Sequence, residues 1–144
     1  MGMRRTRLGL ATGLAVMVGG CGVALELVEG TNFERGTYSA TVFRITPDGQ
    51  PPVDVLQAGG SLSITFDQSG GTTGTLVLPA GVTGGAAVNA SMAGTATITG
   101  LSVTFSQTAD TFVRAATWSR IGRTLQLNNY RIGNAVYDVA LTIN

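Results

Sequence analysis

The sequence predicts an all-β domain of about eight antiparallel strands closed into an up-and-down barrel, behind an N-terminal signal helix, with a β-sandwich as the alternative. Three observations predict it. Apolar residues alternate with serine and threonine in several short runs, the pattern of strands with one buried and one wet face. The 21 glycines punctuate those runs as turns. Short connections favour antiparallel neighbours, and no crossover helix of the kind a parallel sheet requires is evident.

A chain of 144 residues is sized for one domain. All nine basic residues are arginine, three of them (Arg4, Arg5, Arg7) at the extreme N-terminus, and there is neither lysine nor histidine. Without the first 20 residues the chain has six arginines against eight acids, a formal charge of −2. No clustered basic patch is visible, so a nucleic-acid partner is not expected.

Taken in order, residues 1–20 have the three parts of an export signal. A basic start precedes an apolar run from Leu8 to Val18, then a pair of small residues precedes Cys21. Eleven helical residues rise roughly 16 Å, about half a bilayer core, too short for a mature transmembrane anchor. Val18-Gly19-Gly20-Cys21 resembles the lipobox of bacterial lipoproteins. The resemblance implies cleavage after Gly20, a diacylglyceryl thioether on Cys21, and a further acyl chain (palmitate or similar) on the new amino terminus. One acyl chain binds weakly and two or more hold firmly. Cys21 is the only cysteine, so no internal disulfide forms. The alternative is an ordinary secretory signal with an incidental cysteine. Arg4-Arg5 also resembles the start of a twin-arginine signal, although Arg7 stands where that pattern favours an apolar residue. Gly22, rather than aspartate, follows the cysteine, which by the sorting habits of that family points to the outer membrane, facing the periplasm or the cell surface.

Residues 21–35 read as a lipid-anchored tether, either a helical turn or an extended arm, and 36–144 as the barrel domain. The clearest strands are Ser61 to Asp67, Leu101 to Ser106 and Tyr137 to Ile143. Weaker runs are Thr37–Ile45, Thr72–Pro79, Met92–Thr99, Thr111–Ser119 and Arg123–Arg131. In the longer connections, Val53 to Leu56 is expected as a short helix or cap, and Ala80 to Ser91 as a mobile loop. A long first connection followed by hairpins resembles lipocalin-like barrels, and the pairing of a lipobox with such a barrel is similar to small uncharacterised bacterial lipoproteins. A barrel spanning the membrane is disfavoured, because the outward faces carry serine and threonine and nine aromatics (five Phe, three Tyr, one Trp) are few for two girdles.

The composition also limits chemistry. Without histidine, serine triads and histidine-bound zinc are excluded, and without lysine so are Schiff bases and P-loop lysines. Carboxylate pairs among Asp48, Asp54, Asp67, Asp110 and Asp138 would need convergence that sequence does not reveal. Asp48-Gly49 reads as a solvated turn rather than a calcium loop. The protein is therefore expected not to be an enzyme, and no metal, nucleotide or redox cofactor is implied.

One stretch is singled out as a candidate ligand site. Read as a strand, Thr111–Ser119 places Phe112, Arg114, Ala116 and Trp118 on one face. Turned inward, Arg114 would need a carboxylate or an anionic ligand, such as a fatty-acid head group, because an unpaired buried charge costs several kcal/mol. The alternative is an ion pair with an Asp or Glu, or an arginine facing out. Small inward residues (Ala96, Ala116) would leave room for a small hydrophobic ligand, while Phe105, Trp118, Tyr130 and Tyr137 read as core aromatics first. Two functions stay open: a membrane-anchored module binding a small apolar ligand, or an interaction lipoprotein with a filled core in an envelope assembly.

Overall fold

A computed structural model describes residues 33–144, the unit Phe33–Asn144. The export signal, Cys21 and the tether up to residue 32 lie outside the described residues. The described unit is a closed eight-stranded antiparallel barrel with almost no helix.

The strands are β1 (Gly36–Pro47), β2 (Val53–Asp54), β3 (Ser61–Phe66), β4 (Gly71–Leu78), β5 (Val88–Ser91), β6 (Gly94–Thr99), β7 (Ser102–Gln107), β8 (Trp118–Ile121), β9 (Thr124–Ile132) and β10 (Ala135–Ile143), with one turn of helix, α1 (Phe112–Ala115), before β8. Consecutive strands pair except β2 with β3 and β5 with β6, and β10 returns to pair along β1, from Tyr38 opposite Ile143 to Pro47 opposite Ala135. That last pairing closes the wall and removes the edges of the sheet.

Two staves are broken. The short β2 and β3 both pair with β1 along one stave, joined by a turn over residues 55–60. There the amide of Val55 donates to the Phe43 carbonyl and that of Gly60 to the Val55 carbonyl, each at 2.8 Å. Gly60 is required by contact: a Cβ there would lie 2.4 Å from the Val55 side chain. The expected helix or cap over Val53 to Leu56 is thus two strand residues followed by a turn, since pairing with Arg44 and Ile45 of β1 satisfies Val53 and Asp54 as a strand. In the second broken stave, β5 and β6 are separated by Met92 and Ala93. The Met92 carbonyl, which a continuous ladder would satisfy, instead accepts from Thr72 Oγ1 (2.8 Å) and Gln107 Nε2 (3.1 Å). Gly74 (φ +132°), opposite Ile64 on β3, allows β4 to approach β3, because a Cβ would sit 2.1 Å from the Ser63 carbonyl oxygen.

Bulges keep the apolar set inward where the sequence changes phase. In β1 the inward series runs through Tyr38, then shifts past Thr41 to Phe43 and Ile45. In β9, Leu125 and Leu127 face in, and the extra residue at Asn128–Asn129 resets the phase. Asn129 takes φ 53° with its amide donating to Asp138 Oδ1 at 2.8 Å. Such bulges bend and twist a wall, as closure demands.

The barrel has two distinct ends. At the entry end the chain arrives through Phe33–Arg35, beside the tight turns at Asp67–Gly70, Gly100–Leu101 and Gly122–Arg123. At the loop end lie the two long connections, α1 and the β9–β10 turn. The segment expected as a mobile loop, Ala80 to Ser91, differs from that reading. It begins as a hydrogen-bonded turn, with Gly81 and Gly85 bonded and Val82 buried against the core, and ends as β5.

Candidate functional site

The stretch singled out in the sequence is not a strand through its first half. Residues Phe112–Ala115 form α1, preceded by Thr111 and ended at Ala116 by its amide donating to the Phe112 carbonyl. Phe112, Arg114, Ala116 and Trp118 therefore do not share a strand face. The turn carries Phe112 and Val113 into the core and leaves Arg114 outside. Arg114 binds Asp110 four residues earlier and donates to the Gln107 carbonyl at 3.3 Å, the ion-pair alternative rather than an inward charge. Phe112 and Trp118 stay together, with ring centroids 6.3 Å apart, and the Trp118 indole N–H donates to the Val113 carbonyl at 3.2 Å.

Those rings belong to a column of aromatics through the barrel. From the entry end, Phe33 stacks on Tyr38 (5.5 Å) and meets Phe66 edge-on (4.7 Å); Phe66 touches Phe105, Phe105 meets Trp118, and Phe112 joins Phe43 and Tyr137 (5.0 Å) towards the loop end. The small residues are complemented rather than left as space. Ala96 lies opposite Phe105 across the β6–β7 pair, and Ala116 is fully buried beside the helix that plugs the wall. Burial pushes the Tyr137 phenol above its usual range, and it does the same for Tyr38 together with the nearby Glu34 carboxylate.

A concave feature lies at the loop end. A cleft of about 590 Å³ lies between the β1 terminus with its following turn, the Gly81–Gly84 turn, and the β9–β10 hairpin, with Tyr137 in its lining. Asp48 lines it and is paired with Arg131 at 2.9 Å; that hydrogen bond raises the Arg131 pKa, and the Asp48 amide donates to the Asn134 carbonyl, fastening the turn to the hairpin. A second recess of about 240 Å³ adjoins it across Ile132 and Tyr137, with Leu76, Leu78, Val88 and Phe112 forming an apolar floor. Of the sequence-named site residues, only Phe112 reaches this surface.

Arg120 was not anticipated. It follows Trp118 on the inward face of β8, is 8% exposed, and lies over the Phe33 ring with its guanidinium carbon 6.0 Å from the centroid. The signal was the alternation Trp118–Arg120, which becomes readable once the strand is known to begin at Trp118. Near it, Arg123 makes two hydrogen bonds to Glu34, and the Tyr38 hydroxyl donates to the Glu34 carbonyl at 2.9 Å, sealing the entry end. Among the described residues, no group of three or more metal-ligating side chains converges.

Comparison with protein-family models, with curated proteins and with solved structures finds no match.

Proposed function

We propose that the protein is a non-catalytic lipoprotein of the cell envelope, held by lipid on Cys21 in the outer membrane, whose filled barrel acts through its surface in an envelope protein assembly. One observation carries the choice of surface over interior. The space that a ligand-carrying barrel would keep hollow is occupied by Tyr38, Phe43, Phe66, Phe105, Phe112 and Trp118. Such a barrel is a rigid mount, and what it offers a partner is its outer wall and its loops. The anchor is supported by the lipobox-like Val18-Gly19-Gly20-Cys21. Extraction of the native membrane in mild detergent, followed by purification of the protein with its partners, tests this reading. Stable, stoichiometric partner proteins are expected, and a protein that repeatedly emerges alone, even after cross-linking, sinks it.

A second reading is favoured by the loop-end cleft. Its volume falls within the roughly 300–1,000 Å³ range of small-molecule sites, so a small apolar or amphipathic ligand would sit at the mouth, against Tyr137, rather than inside. Native mass spectrometry of protein from its own membrane distinguishes the two: a bound small molecule lost on replacing Ala135 by Trp supports the cleft, and a bare protein opposes it.

A further inference from the structure

Five large apolar residues are exposed among the described residues, and they are unevenly placed. Val42, Val88 and Ile132 are 36–41% exposed, on the wall or at the loop end, whereas Leu101 and Ile121 are 63% and 61% exposed. These two stand side by side at the entry end. The Arg120 amide donates to the Leu101 carbonyl at 2.7 Å, so Ile121 is one residue beyond Leu101's direct neighbour on the adjoining strand. Leu101 lies within the two-residue turn Gly100–Leu101 and Ile121 immediately precedes the turn Gly122–Arg123, places where nothing in folding asks for a large apolar side chain. Arg35 and Arg123 stand at the same rim; Arg123 is shared with Glu34, and Arg35 donates to a neutral acceptor, the Asp67 carbonyl. The Asp67 carboxylate, also at this end, is engaged by its own turn through Ser69 and Gly71.

We propose that the entry end seats on a phospholipid bilayer, with Leu101 and Ile121 at the boundary between headgroups and acyl chains and Arg35 and Arg123 at the level of the phosphates. The inference rests on the lipid-anchor reading, which brings the same end of the barrel to the membrane. Eleven residues, 22–32, separate Cys21 from Phe33, and a chain of that length spans at most roughly 36–40 Å. That reach alone does not decide which way the barrel faces, and the two apolar tips would fix its orientation. Apolar residues beside cations are what an interfacial surface uses: the former leave water and the latter meet phosphate. The consequence is directional. The loop end, with its cleft and its Asp48–Arg131 pair, points away from the membrane towards any partner.

The test uses the full mature protein in vesicles of phosphatidylethanolamine and phosphatidylglycerol with brominated acyl chains. With Cys21 consumed by lipid, Leu101→Cys, Ile121→Cys or Thr83→Cys each gives a single site for a bimane label. Quenching several-fold greater at 101 and 121 than at 83, in the loop-end turn, is expected. A label on Thr99→Cys should be quenched likewise and lose that quenching when Leu101→Asp and Ile121→Asp are added. Intact mass is measured on every sample. If Cys21 carries no lipid, the anchor reading falls and this one with it. If lipid is present but quenching is equal at both ends, absent from both, or unchanged by the two aspartates, only the seating of the entry end is overturned.

Discussion

Asp67 shows how a single exposed residue sets a turn. Its carboxylate accepts from the Ser69 amide and hydroxyl, each at 2.7 Å, and from the Gly71 amide at 2.8 Å, closing the β3–β4 connection. The Ser69 hydroxyl bond, followed by the Gly71 and Ser69 amides, lowers its pKa below 3.8. A lowered folded pKa means a contribution present above the unfolded value and lost as pH falls through the folded one. Asp67→Ala should reduce the urea midpoint at neutral pH, and the gap from the parent should shrink in acid below pH 4; an equal gap at all pH values would contradict the role. Trp118 and Arg114 make a sharper pair. Trp118 fills the interior and bonds Val113, so Trp118→Ala should cost about 3–5 kcal/mol. Arg114 is a surface partner of Asp110, so Arg114→Ala should cost less than about 1 kcal/mol. Urea unfolding of the two variants checks both, and similar losses would restore an inward Arg114. Both places stood among the sequence readings, Trp118 as a core aromatic and Arg114 as an ion-paired or outward residue; the helix between them was not legible, because Phe112, Arg114, Ala116 and Trp118 fit a strand's spacing and a four-residue helix is too short to show a period of its own.

Among the elements, strict alternation marked those that run straight. β3, β7 and β10 were readable because nothing interrupts their phase. β1 and β9 read more weakly for a physical reason: each carries a bulge that moves the apolar series from one parity to the other, at Thr41 and at Asn128–Asn129. A pattern summed along the strand blurs what the backbone resolves with one extra residue. β2 and β5 are two and four residues long and were absorbed into connections. The bulge in β9 gives a test. Asn129 holds a left-handed conformation, φ 53°, which asparagine tolerates and a β-branched residue does not. Asn129→Gly should leave stability close to the parent, while Asn129→Val should lose about 1–2 kcal/mol. If valine is accepted without loss in thermal melts, the residue is not holding the bulge.

For the whole molecule, closure followed from counting strands, whereas filling did not. Whether a barrel is hollow depends on which side chains meet across elements far apart in sequence, as Phe66 meets Phe105 and Phe43 meets Phe112. Because one aromatic column joins both ends and every wall strand is paired, the barrel should yield as a unit. Tyr38 near the entry end and Tyr137 near the loop end both have phenols raised above 10.0, by burial in each case and also by Glu34 for Tyr38. A folded pKa above the unfolded one gives stability fully present below pH 10 and lost as pH climbs through the folded value. Raising the pH past 10 should therefore unfold the barrel, with tyrosinate absorbance from these two residues rising together with loss of the near-ultraviolet dichroism of the buried Trp118. Tyr137→Phe keeps the ring contact with Phe112 and removes one of the two ionisations, so it should move the alkaline midpoint upward. Tyr38→Phe removes an ionisation too, but it also gives up the hydrogen bond to the Glu34 carbonyl, so its gain at high pH should come with a loss at neutral pH. If Tyr38 and Tyr137 ionise at pH 10 while the Trp118 signal stays intact, the two ends are not coupled through the core.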